Sequence, residues 1–298
     1  MDIRQEENII NTAEILCVGT ELLLGDIVNT NAAFLSRKLA AHGINVYRQS
    51  VVGDNPQRLG DALRESLGRA DLVITSGGLG PTCDDLTKET VARVLGKELF
   101  IHSESLERIK SYFARRGYLM TENNVKQAFA PEGAQIFENE CGTAPGFAVL
   151  SGDMKKTVIM LPGPPHELIP MFEGKVSPYL MTRTHSVIRS RNIHIFGIGE
   201  SALESRLHDI MENGTNPTVA PYAKDGEVSI RVTAKGKTEQ ECLALCDDMI
   251  SKITRTSVGE YIYGVDIGSL EAAAVSALAS AQKTVAFAES CTGGLVSK

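Results

Sequence analysis

Asp71-Leu72-Val73-Ile74-Thr75-Ser76-Gly77-Gly78-Leu79-Gly80-Pro81-Thr82-Cys83-Asp84-Asp85-Leu86-Thr87 is the stretch that decides the fold. Residues 71–76 form a short, almost unbroken apolar run, the pattern of a strand buried on both faces. Three glycines follow, and residues 85–95 read as a helix that stops at Gly96. Glycine lets the backbone approach a ligand and turn its N–H groups inward, and a helix N-terminus adds partial positive charge. Together they make an anion cradle at the carboxyl end of a parallel strand, where α/β sheets bind ligands. The same residues also suit a tight turn in which Asp84 or Asp85 caps the helix.

Outward from this stretch, strands and helices alternate. Residues 13–21 and 44–52 read as strands, and residues 31–41 as a helix stopped by Gly43. Residues 57–69 place Leu59, Leu63 and Leu67 on one helical stripe. This order predicts a parallel sheet covered by helices on both faces. A helix at 103–116, a loop-rich stretch at 123–146 and a strand at 156–161 complete a first domain, residues 13–178.

A smaller α+β domain is expected at 186–259. It has strands at 187–196 and 227–234, helices at 201–211 and 238–253, and a hairpin turn at Asp225-Gly226. Residues 266–298 then give an Ala-rich helix (269–282), a strand (284–290) and a Gly-rich turn, which read as the start of a third domain, cut short.

A length of 298 residues suits about two domains at roughly 100–200 residues each. Thirty Lys and Arg against 37 Asp and Glu leave a net charge of −7, which argues against binding nucleic acid through bulk charge. The absence of Trp and the 5% aromatic content argue against a platform for stacked bases. No run approaches the ~18 apolar residues of a membrane span, and the polar, acidic start lacks a signal-peptide core, so a cytoplasmic location is expected. Six scattered cysteines suit a reducing compartment. Cys242 and Cys246 lie one helical turn apart without the further ligands a zinc site needs.

Paired acids in a phosphate cradle would repel an anion. A divalent cation at Asp84 and Asp85 would reverse that sign, since Mg²⁺-type ions are held by one or two carboxylates plus substrate phosphate. Gly19, Thr20 and Glu21 end the first strand, with Asn31 shortly after. Two strand-end loops of one sheet could flank one crevice. Glu21 suits a metal or a ribose hydroxyl, or else an exposed loop acid. Asp54 ends another strand and suits either the site or a helix cap. Gly163, in Leu161-Pro162-Gly163-Pro164-Pro165-His166-Glu167, permits an anion-facing backbone or only a stiff turn. His166 reads as structural. Lys224, at the hairpin tip, could reach an anionic ligand, or be simply solvated. Ser290-Cys291-Thr292-Gly293-Gly294 looks like a nucleophile turn for which no general base can be placed.

The segments GTELLLGDIVNTNAAFLSRKL, VVGDN, TSGGLGPTCDDLT, NNVKQA, GTAPGF, LPGPPHEL, FGIGES, NPTVAPYAKDGEVSIRVTAK and AESCTGG are together similar to the competence/damage-inducible CinA family, in order and along nearly the whole chain. The resemblance implies a molybdopterin-binding (MoaB/MogA-like) three-layer α/β/α domain, a KH-like domain and a C-terminal nicotinamide-nucleotide amidase domain. It further implies metal-dependent ADP-ribose pyrophosphatase activity in the first domain and deamidation of nicotinamide mononucleotide in the last, nearly all of which this chain lacks.

By that resemblance Asp85 and Asp54 match the acids that matter in related molybdenum-cofactor proteins, and Ser290 matches the amidase nucleophile. The resulting expectation has Asp85, Asp54 and Ser290 as catalytic residues. Gly19, Thr20, Glu21, Asn31, Ser76, Gly77, Gly78, Gly80, Thr82, Gly163 and Lys224 would bind substrate. Asp84 and Asp85 would hold Mg, Mn or Co. The expected partner is a small nucleotide, in a chain that forms a homo-oligomer. The competing expectations are a crevice that only binds a pterin phosphate, and an amidase whose first domain is regulatory.

Overall fold

A computed structural model describes residues 9–153, 155–224 and 227–297, which divide into two units between residues 188 and 189. The first unit begins β1 (Thr12–Val18), α1 (Thr20–Leu24), α2 (Thr30–Ala41), β2 (Asn45–Val52), α3 (Pro56–Arg69), β3 (Leu72–Ser76) and α4 (Thr87–Leu95). It continues through β4 (Leu99–Ile101), α5 (Ser103–Arg115), a 3-10 turn (Glu122–Ala128), β5 (Phe129–Pro131), β6 (Gln135–Phe137), β7 (Gly146–Leu150) and β8 (Thr157–Leu161). It ends in α6 (Pro165–Met171), a π turn (Phe172–Val176) and α7 (Ser177–Met181).

Alternation within the strands explains why they read as continuous apolar runs. Ile15 and Cys17 of β1, Leu72 and Ile74 of β3, and Ile159 and Leu161 of β8 enter one core, with Leu35 and Leu39 of α2 and Leu180 of α7. Their neighbours Leu16, Val73, Val158 and Met160 enter a second core, with Leu59 and Leu63 of α3 and Val91 of α4. Successive side chains point to opposite faces of a strand, so a sheet sandwiched between helix layers needs apolar residues at every position.

The main sheet has the order β2-β1-β3-β8-β7-β6. β2, β1, β3 and β8 are parallel, whereas β7 runs antiparallel to β8 and β6 antiparallel to β7. The sheet is therefore mixed, not parallel throughout. Residues 123–146 hold short ordered elements instead of loop alone. β5 and β6 have three residues each, too few to show a period.

Two further boundaries differ from expectation. β1 stops at Val18 and residues 20–24 are helical, because Thr20 is turned back by Asp54: its N–H and hydroxyl both donate to Asp54 Oδ2 at 2.8 Å. α4 begins at Thr87, and its N-cap Leu86 makes no side-chain bond, so neither Asp84 nor Asp85 caps it. Asp54 is not a cap either; Asn55 caps α3 by accepting from the N–H groups of Gln57 and Arg58.

Glu14, on β1, is buried and meets the last residue of α3. Arg69 Nε and Nη2 donate to its two oxygens at 2.7 and 2.9 Å. The Arg69 bonds hold the Glu14 carboxyl below its ordinary value of 4.5 against the opposing effect of burial. A carboxyl lowered on folding adds stability that is complete above its unfolded value and is lost as pH falls through the folded one. Glu14→Gln is expected to lower Tm by a few degrees near neutrality. That gap to the wild type should close as pH drops below about 4.5, in thermal melts of both proteins across pH.

The second unit contains β9 (Val187–Ile195), α8 (Glu200–Asn213), β10 (Thr218–Lys224), β11 (Glu227–Gly236), α9 (Glu239–Thr254), β12 (Ile262–Val265) and α10 (Leu270–Ser280). Its sheet has the order β10-β11-β9-β12, with α8 packed on β10 and α9 on β11. The alternation Val228, Ile230, Val232 puts buried side chains on one face of β11. Cys242 and Cys246 are buried on α9, and Cys246 Sγ donates to Val232 O at 3.5 Å. The hairpin turn at Asp225-Gly226 lies outside the described residues. α10 buries none of its side chains, and the strand expected at 284–290 is not formed. A strand needs a neighbour to receive its ladder, and none pairs there among the described residues.

Candidate functional site

The carboxyl ends of β1, β3 and β8 open onto a crevice of about 400 Å³. Of the residues expected to bind substrate, Gly19, Glu21, Gly77, Gly78, Gly80 and Gly163 line it. The acids Asp54, Asp84 and Asp85 line it too. Thr20 and Thr82 stand just behind, bonded to those acids. Asn31 and Ser76 face an adjoining cavity.

The glycine loop is shaped by close approaches. Gly77 has φ +107°, and a Cβ there would collide with the carbonyl oxygen of Val18. Gly78 has φ +69°, and its Cβ would fall on the hydroxyl of Thr87. Thr87 locks the turn from the other side: its hydroxyl donates to Gly77 O at 2.8 Å and its N–H to Gly78 O at 3.1 Å. The Gly77 N–H is used within the protein, donating to Leu161 O at 3.0 Å, so it is not part of the cradle expected of Gly77–Gly80. The N–H groups of Gly78, Leu79 and Gly80 have no protein acceptor among the described residues, and all three residues line the crevice.

Thr82 organises the acids. Its N–H and hydroxyl donate to Asp85 Oδ2 at 2.9 and 2.5 Å, and the hydroxyl also meets Asp84 Oδ1. The Thr82 hydroxyl holds the Asp84 carboxyl below the usual carboxylate range. The Asp85 carboxylate lies over Gly80, where a Cβ would strike it. Likewise, the Glu21 carboxylate lies over Gly19, and it has no hydrogen-bond partner among the described residues.

Two lysines brace this loop from outside its own segment. Lys126, in the 3-10 turn, donates to Thr82 O at 2.9 Å and to Asp85 O. Lys88 of α4, 3% exposed, donates to Lys126 O at 2.6 Å with its ammonium 5.6 Å from the Phe147 ring centroid. Burial pushes the Lys88 ammonium down to about 8, helped by Lys126 and opposed by Glu89 and Asp85. Behind Glu167, which lines the crevice, Asn139 receives the N–H groups of Cys141 and Gly142 and donates to Glu167 Oε2 at 2.6 Å. Lys88, Lys126, Asn139 and Glu167 were absent from the expected set. NNVKQA contains Lys126 and LPGPPHEL contains Glu167, whereas Lys88 and Asn139 lie outside all the family-like segments, and nothing local to any of the four shows what it touches.

A divalent ion can be tested against these donors. Among the described residues no group of three or more His, Cys, Asp or Glu is placed to hold a metal. That disfavours an all-protein cage of the zinc type. Two neighbouring carboxylates on a crevice rim do fit an Mg²⁺-type ion whose remaining positions are filled by phosphate oxygens and water. Asp84 and Asp85 are the pair that would hold it.

Two expected residues lie elsewhere. Lys224 ends β10 in the second unit, and its side chain lies outside what is described. Ser290 is exposed in the tail of that unit, and no group among the described residues is hydrogen-bonded to its hydroxyl. The nearby acid Glu289 is occupied by Ser297, Val296 and Thr292, whose bonds bring its carboxyl down to about 2. Among the described residues, no helix is long and apolar enough to cross a membrane.

Comparison with known proteins agrees with this architecture. Residues 14–182 match the model of a probable molybdopterin binding domain, and residues 190–264 that of the damage-inducible protein CinA KH domain. A CinA-like protein of Dictyoglomus thermophilum is 51% identical over 284 residues, covering 95% of this chain and 68% of the relative. A protein named as competence-damage inducible from Clostridium tetani is 52% identical, with 95% and 69% covered. The crystal structure of a CinA protein of unknown function from Thermoplasma acidophilum superposes with a TM-score of 0.52 at 39% identity, covering 57% of this chain and 98% of that one. With a molybdopterin-binding fold in its first unit, a CinA KH domain in its second and half its residues shared with such relatives along almost its whole length, the chain belongs to the CinA family.

Proposed function

We propose that the crevice binds a nucleotide pyrophosphate, ADP-ribose in the first instance, and hydrolyses it to AMP and ribose 5-phosphate. The observation that carries this reading is the trio of unengaged N–H groups, Gly78 to Gly80, beside the paired carboxylates of Asp84 and Asp85. Backbone donors at a strand end bind phosphate oxygens. Acids in the same place are unfavourable to an anion unless a cation lies between them.

A divalent ion held by Asp84 and Asp85 would supply that charge, polarise a phosphoryl oxygen and lower the pKa of bound water. The chain's own residues do the rest. Thr82 and Lys126 keep the acid loop closed. Asp54, with one oxygen held by Thr20, adds a third aspartate to the crevice beside Asp84 and Asp85. Glu21, with its carboxylate unengaged, accepts the proton of the attacking water. One P–O bond forms to that water and the bridging P–O bond breaks, leaving one phosphate on each product.

The test is incubation of the chain with ADP-ribose and Mg²⁺, Mn²⁺ or Co²⁺, followed by chromatography. Equal amounts of AMP and ribose 5-phosphate support hydrolysis. Tight pterin-phosphate binding without turnover would establish the alternative, a binding module, which the name of the matched domain model favours.

A further inference from the structure

We infer that Lys88 is a positioning residue for the acid loop: from the buried face of α4 its ammonium sets Lys126, and Lys126 in turn holds Thr82 and Asp85 in place. This rests on the reading of that loop given above and adds to it a residue that touches neither substrate nor ion.

Lys88 stands where the fold alone asks for an apolar residue. Val91 and Ala92, three and four positions further along α4, share its face of the helix and are buried with it, Val91 in the second core. Phe147 of β7, against which the ammonium lies, belongs to that core as well. No carboxylate pairs with Lys88 among the described residues, and the adjacent Glu89 meets Lys126 instead, at 3.9 Å. A charge buried without a counter-charge is unfavourable to the folded state, and the lowering of the Lys88 ammonium to about 8 has the same origin, burial.

The ammonium has a use that an apolar side chain could not meet. It donates to Lys126 O at 2.6 Å, and Lys126 Nζ donates to Thr82 O at 2.9 Å and to Asp85 O. Main chain and side chains thereby close a ring that runs from the acid loop through α4, Lys88, the 3-10 turn and Lys126 back to the acid loop. Thr82 is also the residue whose N–H and hydroxyl hold Asp85 Oδ2, so the ring fixes a carboxylate through the donor that orients it. The 3-10 turn does not need Lys88 for its own hydrogen bonding, because Lys126 O already accepts the N–H of Phe129.

Melting, hydrogen exchange and ADP-ribose cleavage by the full chain test this in Lys88→Met, Lys126→Met and the double variant. Methionine keeps most of the length of lysine and removes the charge, so the Tm of Lys88→Met should equal or exceed that of the wild type. Exchange at the hydrogen-bonded amides of Thr82, Asp85 and Thr87 should quicken about tenfold in each single variant, with β1 and β3 unchanged. The double variant should quicken no further than Lys126→Met, since one lysine acts through the other. AMP release should fall about tenfold in all three, the effect of losing outer groups that orient metal ligands.

A marked fall in the Tm of Lys88→Met would make Lys88 a residue of the fold and overturn the proposal. Unchanged exchange in the loop, additive effects in the double variant, or undiminished cleavage would each overturn it as well. Quickened, non-additive exchange in a chain whose wild type never cleaves ADP-ribose would defeat the hydrolase and leave the positioning role standing. Unchanged exchange in a chain that does cleave it would do the reverse.

Discussion

Asp85→Asn is expected to cut AMP release from ADP-ribose about 10²-fold or more, because charge neutralisation at the reacting phosphate is worth several kcal/mol. The fold should survive the change. Asparagine keeps an oxygen that can accept the Thr82 N–H now bonded to Asp85 Oδ2 at 2.9 Å, and Lys126 holds Thr82 and Asp85 through their backbone carbonyls, which the substitution does not alter. The variant loses a negative charge and little else, so melts of variant and wild type should nearly coincide. Steady-state rates at saturating metal separate loss of chemistry from loss of affinity. Full activity in Asp85→Asn would remove this acid from the mechanism.

Gly77→Ala is expected to fail in a different way, by destabilising the first unit about 3–4 kcal/mol. The φ of +107° is one that alanine rarely adopts, and the methyl group would meet the Val18 carbonyl, which belongs to β1 and is held by the sheet. For a unit of this size that loss corresponds to roughly 6–15 °C in Tm. Gly25→Ala is the matched control. Its φ is +81°, but a Cβ there has open space around it, so it should cost only about 1–2 kcal/mol. Equal melting temperatures for the two variants would show that the Val18 contact does not constrain the loop.

The reach of the sequence follows from how local each interaction is. β1, β3 and β8 were legible because both of their faces are buried, which writes a continuous apolar run into the chain. The glycine loop was legible because its positive φ values and close contacts exclude other residues. The Gly77 N–H was misjudged because its acceptor, Leu161, lies in a strand far along the chain. Asp54 carried no mark of its bonds to Thr20, since an acid after a strand looks the same whether it binds a ligand, caps a helix or ties down a turn. Lys88, Lys126 and Asn139 act through contacts that only folding creates. The antiparallel pairing of β7 and β6 escaped because strand direction leaves no mark in a short apolar run.

The most direct measurement is a crystal structure of the chain with ADP-ribose and Mg²⁺. Phosphate oxygens should lie within hydrogen-bond distance of the Gly78, Leu79 and Gly80 amides, with the cation touching Asp84 or Asp85. A ligand bound away from these amides, or a cation that ignores both acids, would contradict the proposed hydrolysis at its root.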